Sequence, residues 1–496
     1  MSDAAHPQNG ISQGIDERIN DLFEPISDIS SGIIFYKIPL MEGLAVPAIL
    51  IWMVAISLFM TFYLNFVNFR FFKHAINILR GKHDKDDDSD GQINRFQALA
   101  TSLSGTVGLG NIGGVALAVS LGGPGAVFWM VVMGFIAMST KFCEVMLGVK
   151  YRHHRDQEHP GKISGGPMYY LRDAFGNRNI PYLGPFLAGL FAVCCIGGSI
   201  GGGNMFQANQ AFSQLVNVTG GEGGSFLADK GWAFGLVLAL LTGVVIIGGI
   251  KSIANVASRI VPFMGLIYIL CALVIISVNY YNIPDALLSI LVGAFAPDAI
   301  AGGFFGAMLV GIQRATFSNE AGVGTAAIAH SATKTKDPVT QGFVGMLGPF
   351  IDTVVICTIT ALVIVISGAH LEPDKAIEGV DMTSRAFETG ASWFPVILAV
   401  TVLLFAYSTI ITWSYYGVKS ATFLFGENVY AEYGYKLIFL ACIVVGSSAN
   451  LEQVIGFTDA MIFAMAIPNV IGLYLLAPEI KRHLIQYTRS LNTTSR

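Results

Sequence analysis

Long apolar runs separated by short polar connections dominate the chain. A run of about 20 apolar residues is enough to cross a bilayer as a helix. Eleven such runs can be marked, near 45–68, 95–120, 124–149, 183–216, 232–250, 253–280, 300–325, 342–368, 394–420, 435–449 and 456–478. Ahead of them residues 1–44 form a polar, acidic N-terminal tail, and after the transmembrane region 45–480 a basic tail covers 481–496. The N-terminal tail has no basic segment leading into an early apolar core, so it does not read as a signal peptide. The fold class is therefore an all-α polytopic membrane protein with eleven transmembrane helices.

Two of the runs are poor helices. The second contains Gly105-Thr-Val-Gly-Leu-Gly-Asn-Ile-Gly-Gly114, and the seventh contains Ala301 to Gly324 with glycines throughout. Each interior glycine costs a helix about 1 kcal/mol relative to alanine. A lost backbone hydrogen bond in hydrocarbon costs more, unless the freed groups line a cavity or bind something. Both runs therefore read as broken helices. They lie five spans apart and enter the membrane from opposite sides, which predicts a 5+5 inverted repeat preceded by one extra helix, the pattern of secondary transporters.

Composition agrees with this reading. The 496 residues are 53% hydrophobic and 12% charged, with a mean hydropathy of +0.61, whereas a soluble domain carries about 25% charged residues. The net charge of −4 matters less than the placement of Lys and Arg. They crowd the connections after the first and third spans (Arg70 to Arg95, Lys150 to Arg178), the end of the seventh (Arg314, Lys334, Lys336) and the C-terminal tail. The opposite side has Arg18, Lys37, Lys230, Lys375 and Arg385. By the positive-inside rule the N-terminus is outside and the C-terminus inside, in the cytoplasmic membrane. Nothing here points to nucleic acid or to an obligate protein partner. The six cysteines lie in apolar runs without ligand spacing, so neither a disulfide nor a metal–thiolate site is expected. The acidic run His83–Asp90 lacks the closing glutamate of a calcium loop.

Polar residues inside spans are the candidates for chemistry. Asn204, Gln207, Gln210 and Gln214 form one stripe in the fourth span. Such residues tie helices together, or, for Gln207 near mid-span, touch a substrate. In the ninth span Phe405, Ser408, Thr409, Thr412 and Tyr416 share a face. Their hydroxyls can bond back to their own helix or offer a hard-cation site. Trp413 beside them is a packing residue or one wall of a solute pocket. Lys141 and Glu144, three apart on the third span, can pair with each other. Asp352 has no adjacent partner. Arg314 and Glu320 flank the inner end of the seventh span, as a gate-stabilising ion pair or as ligand contacts.

The motif Gly105-Thr-Val-Gly-Leu-Gly-Asn111, followed by Gly122-Gly-Pro-Gly-Ala-Val-Phe-Trp129, resembles the alanine or glycine:cation symporter family. So do Gly203-Asn-Met-Phe-Gln-Ala-Asn209, Phe317-Ser-Asn-Glu-Ala-Gly-Val-Gly324 and Trp413-Ser-Tyr-Tyr-Gly417. The resemblance covers about residues 45–480. It implies a leucine-transporter-like fold and sodium-driven uptake of alanine or glycine by alternating access, with sodium as the ion cofactor. Carried over by position, it makes the carbonyls of Ser104 and Val107 sodium ligands, completed by Ser408, Thr409 and the Phe405 or Ala406 carbonyl. Thr106 and Asn111 match the ligands of that fold's other sodium site. The amides of Leu109 and Gly110, next to Gly108, would face the solute carboxylate, with Thr106, Gln207 and Trp413 around the solute.

A membrane enzyme using Glu320, His330 or Asp352 finds no paired nucleophile and base in the sequence. A passive channel has no need of two broken helices.

The topology can be checked directly. Cysteines introduced at Asp86 and Asp156 should react with an impermeant reagent only from the cytoplasmic side, and one at Asp374 only from outside. Labelling of Asp86 and Asp374 from the same side would show the span count to be wrong.

Overall fold

In a computed structural model, described for residues 25, 27–41, 44–82, 91–154, 163–176, 182–221, 223–296, 303–371, 379–449 and 451–494, the chain is almost entirely helical. The acidic run 83–90, most of the N-terminal tail, Asp156 and Asp374 lie outside the described residues. Each apolar run of the sequence contains a helix. We label them α1 Ala48–Tyr63, α2 Arg95–Thr106, α3 Gly113–Gly122, α4 Gly125–Lys150, α5 Leu183–Ile200 and α6 Phe206–Val218. The series continues with α7 Gly231–Ile246, α8 Gly249–Val278, α9 Gly303–Asn319 and α10 Thr325–Ser331. It ends with α11 Pro338–Ser367, α12 Val380–Glu388, α13 Phe394–Phe425, α14 Val429–Ser448 and α15 Leu451–Thr494. A small hairpin, Lys37–Met41 with Leu44–Pro47, precedes α1.

Among the described residues seven helices are long and apolar enough to cross a membrane, and the pair α2 with Leu109–Gly122, bent by 60°, makes an eighth span. The shorter α1 and α7, 16 residues each, are apolar as well. Helix α7 shows why these helices need lipid. Leu236, Leu240 and Val244 stand one turn apart and are 49%, 66% and 76% exposed, an apolar stripe that water would not tolerate at this size. The opposite face carries Gly231 and Gly235, which let α14 approach until Ser447 Oγ donates to the Gly231 carbonyl at 2.9 Å. Small residues four apart are the usual means of close helix packing in lipid.

Local signals set several boundaries. Asn94 caps α2 by accepting from the Gln97 amide (2.8 Å) while Gln97 Oε1 accepts from the Asn94 amide (3.1 Å), a capping box. Asp337 accepts from the Val339 amide at 2.8 Å ahead of Pro338 at the first turn of α11.

Three features depart from the sequence reading. The break of the seventh run falls at the very end of the interrupted segment Ala301–Gly324: α9 is continuous to Asn319, residues 320–324 unwind, and α10 resumes where a connection was expected. Glycines within α9 are absorbed by packing, whereas Glu320, Gly322 and Gly324 take left-handed φ values of 53°, 91° and 97°. Second, α15 runs from Leu451 unbroken to Thr494, well past the expected end of the last span near 478. Third, π-helical turns occupy Gly201–Met205 between α5 and α6, and Phe350–Cys357 within α11. Such bulges favour functional sites.

Candidate functional site

Helix α2 ends at Val107, whose φ and ψ of −75° and 78° leave the helical region. A single 3₁₀ turn, Leu109–Asn111, then leads into α3. Two helices close on this break. From α13, Thr409 Oγ1 donates to the Ser104 carbonyl (2.9 Å) and Thr412 Oγ1 to Ser104 Oγ (3.0 Å). In return Ser104 Oγ donates to the Ser408 carbonyl (2.7 Å). Ser408 Oγ donates to the Phe405 carbonyl (3.0 Å) and Trp413 Nε1 to the Gly105 carbonyl (3.1 Å). From α6, Gln207 Oε1 accepts from the Leu109 amide (3.1 Å). All these residues are buried.

The expected sodium ligands Ser104, Phe405, Ser408 and Thr409 are thus brought together, beside Val107 at the end of α2. Their oxygens are carbonyls and hydroxyls, the donor set that a hard cation takes, and each hydroxyl can turn a lone pair to an ion. Gln207 and Trp413 meet the same break. Thr106 does not: its hydroxyl bonds back to the Ser102 and Leu103 carbonyls at 3.3 and 3.4 Å. The Leu109 amide, expected to face a carboxylate, is held by the Gln207 carbonyl oxygen, which stands where a carboxylate oxygen would accept.

Asn111 belongs to a second cluster. Its Oδ1 accepts from the Gly108 amide (3.0 Å), and its Nδ2 donates to Asp352 Oδ1 (2.7 Å) and Ser318 Oγ (3.1 Å). Asp352 also accepts from Ser318 (2.6 Å) and Thr353 (2.8 Å). The expectation of no adjacent partner for Asp352 is corrected by Thr353, the next residue. Ser318 and Asn111 lie 34 and 241 residues away, beyond the reach of any local pattern. Thr412 and Tyr416 stand on the α13 face that periodicity marks, yet nothing in the sequence assigns them to the site. Tyr416 lies near Gly105, where an added Cβ would come within 3.0 Å of its hydroxyl.

The polar stripe divides by partner. Gln207 Nε2 donates to the Gly202 carbonyl (2.9 Å) inside the π turn while its oxygen reaches the break. Asn204 instead donates to the Phe439 carbonyl of α14 (2.6 Å). Gln210 accepts from the Val380 amide (3.1 Å), and Gln214 donates to Ser384 (3.1 Å) and the Pro395 carbonyl (3.2 Å). Gln207, Gln210 and Gln214 all follow the π turn on α6, and of the four only Gln207 reaches the break while the others join helices.

The buried charges also sort differently from the expectation. Lys141 and Glu144 do not pair. Lys141 Nζ donates to the Glu320 carbonyl (3.1 Å), and Glu144 Oε1 accepts from Asn469 Nδ2 (2.7 Å), because both side chains turn from α4 to the unwound residues 320–324. Arg314 pairs with Asp459 of α15, not with Glu320, and Gln313 donates to the same carboxylate at 3.0 Å. That pair closes one end of the site together with Phe317, whose ring meets Phe206 edge-on at 5.6 Å. At the other end a parallel bridge joins Ile93 and Thr333, with the Lys334 amide on the Ile93 carbonyl (2.8 Å) and the Gln92 amide on the Ala332 carbonyl (2.8 Å). The two broken helices are thereby tied together at that end.

Two broken helices meeting over a polar centre in an apolar bundle define a multi-pass membrane transporter of the leucine-transporter fold. The solved structure of MhsT in complex with L-phenylalanine shares that fold, with a TM-score of 0.51 at 14% identity, covering 80% of this chain and 99% of that one. The chain belongs to the sodium:alanine symporter family, whose profile matches residues 37–496. It is 40% identical over 436 residues to the sodium/alanine symporter AgcS of Methanococcus maripaludis, an alignment covering 87% of this chain and 92% of that protein. It is 32% identical over 443 residues to GlnT of Bacillus subtilis, a probable sodium/glutamine symporter, covering 89% of this chain and 88% of that one. The protein is thus a cation-coupled amino-acid symporter.

Close approach at Gly108 is a steric condition of the site. A Cβ there would lie 2.6 Å from Thr409 Oγ1 and 3.0 Å from Gln207 Oε1. Gly108→Ala should therefore abolish amino-acid uptake while leaving the amount of protein in the membrane near normal, as read by radiolabel uptake against quantitative blotting. Uptake close to that of the unchanged protein would show that α6 and α13 do not close on this residue.

Proposed function

We propose that the protein couples sodium entry to uptake of a small neutral amino acid, alanine or glycine. Its architecture on this reading is eleven spans: one leading helix, then two five-helix units of opposite orientation, with the N-terminus outside and the C-terminus inside the cytoplasmic membrane. The observation that carries the reading is the meeting of Ser104, at the end of a broken helix, with Ser408 and Thr409 of α13. Sodium takes the carbonyls of Ser104, Val107 and Phe405 and the hydroxyls of Ser408 and Thr409. An ion bound there draws α13 onto the broken helix and so readies the adjacent solute site.

The solute carboxylate takes the amides at Leu109 and Gly110, across Gly108, in place of the Gln207 oxygen. Its ammonium takes carbonyls near Thr106 or the released Gln207 side chain, and Trp413 forms one wall. Both solute charges lose water on entry, so each needs partners already in position. The rings of Trp413, Phe206 and Phe317 crowd the centre, which favours a small side chain. Asn111, with Ser318 and Asp352, supplies oxygens for a second sodium. Rocking of the broken-helix pair against the remaining helices gives alternating access.

Counterflow of labelled alanine, glycine and glutamine in proteoliposomes, with sodium, lithium or only protons, tests the reading. Exchange of alanine or glycine that requires sodium supports it. Sodium-independent exchange, or glutamine preferred over both, overturns the coupling or the substrate assignment.

Two substitutions probe the assigned residues. Thr409→Ala should raise the sodium concentration needed for half-maximal uptake much more than it lowers maximal uptake, and an unchanged sodium curve removes the assignment. Losing one hydrogen bond to a charged group costs about 1.5–3 kcal/mol, and about 1.4 kcal/mol is ten-fold in affinity. Gln207→Ala should then raise the half-saturating alanine concentration about ten-fold or more. Gln214→Ala, whose contacts are to Ser384 and Pro395, should change it far less. Equally mild effects would mark the whole stripe as helix-joining.

A further inference from the structure

The two helix breaks are chemically unlike. Where a helix unwinds in an apolar interior, its freed carbonyls need a donor or a cation. At the first break the donors are neutral: Thr409 Oγ1 on the Ser104 carbonyl and Trp413 Nε1 on the Gly105 carbonyl. A hydroxyl can rotate and give its oxygen to an ion instead. At the second break the Glu320 carbonyl, which also accepts from the Val323 amide at 3.2 Å, is met by an ammonium, Lys141 Nζ, at 3.1 Å. Lys141 is 1% exposed, and an ammonium has donors only, so it cannot give way as a ligand to an incoming ion.

The surroundings of Lys141 are acidic. It interacts electrostatically with Glu144, Glu320 and Asp352, and with His330 of α10. Glu144 is tied through Asn469 Nδ2, which also donates to the Gly322 carbonyl (2.8 Å), and Glu320 accepts from Thr325 Oγ1. An ammonium, two carboxylates and an amide thus brace all of residues 320–325.

We infer that the Lys141 ammonium is the resident cation of the second break. It fills permanently the place that the transported ion fills reversibly at the first, an inference that rests on the sodium reading of the first break. Lys141 is accordingly a positioning residue. It holds the bend of the second broken helix constant through the cycle, so only the first break assembles and dismantles an ion site. Removing the ammonium leaves the Glu320 carbonyl and the nearby carboxylates as a cradle open to a small free cation.

The test is alanine uptake by Lys141→Ala in proteoliposomes across a range of sodium, with and without millimolar methylammonium. Removal of a charged hydrogen-bond donor should lower uptake about ten-fold or more at the sodium level that saturates the unchanged protein. Methylammonium should restore much of it, tetramethylammonium should not, and Lys141→Arg should keep substantial uptake. A sodium curve identical to that of the unchanged protein, or a loss that neither methylammonium nor raised sodium repairs, overturns the inference. If Lys141→Ala fails to reach the membrane, the same assay is run on Lys141→Met combined with Glu144→Gln, which removes one charge of each sign. Absence of that variant as well assigns Lys141 to assembly alone and ends the proposal. Thr409→Ala in parallel separates the two readings: an unaltered sodium curve there, with methylammonium rescue intact, faults the first-break assignment and not the resident cation.

Discussion

Backbone groups set free inside an apolar bundle are the constraint on which the rest of this structure depends. A helix interrupted at mid-membrane leaves amides and carbonyls where no water reaches them. At the first break Thr409, Trp413 and Gln207 answer them, from two different helices. At the second Lys141 and Asn469 do so. The centre of the molecule therefore consists of side chains aimed at broken backbone, and α4, α6, α13 and α15 are positioned by that need.

The ends of the site are closed by different chemistry. One end has the buried Arg314–Asp459 ion pair, with Gln313 on the same carboxylate. The other has main-chain bonds between the segments around Ile93 and Thr333. Separating a buried ion pair exposes two charges that must find other partners or water. Separating a short backbone bridge at a helix end needs only water on a few amides. The two contacts are thus of distinct kinds.

Much of the fold is legible in the sequence because its signals are local. The apolar runs mark the helices, and the glycine spacing around 105–114 marks the first break to within a residue or two. The face of Ser408, Thr409, Thr412 and Tyr416 is visible from helical periodicity. The second break is placed only to within Ala301–Gly324 by the same reasoning, because glycines alone do not unwind a helix. Those within α9 pack, and the break falls where Glu320, Gly322 and Gly324 adopt left-handed conformations under the hold of Lys141 and Asn469. The expected Lys141–Glu144 pairing is wrong for a related reason. Spacing makes two side chains neighbours but does not say whether a third helix offers a better partner.

The amino-acid order by itself determined that this chain lives in a membrane, where its helices run, that its second apolar run must unwind, and which residue types stand ready on α13. These conclusions rest on the cost of burying polar backbone and on the 3.6-residue period of a helix, and both act within about twenty residues. Tertiary structure decided which polar group meets which break. Asp352 joins Asn111 and Ser318, Gln207 alone of its stripe reaches the first break, and the second break closes on a lysine from α4. Those partners are mostly tens to hundreds of residues apart, and only packing brings them within the 3 Å or so over which a hydrogen bond acts.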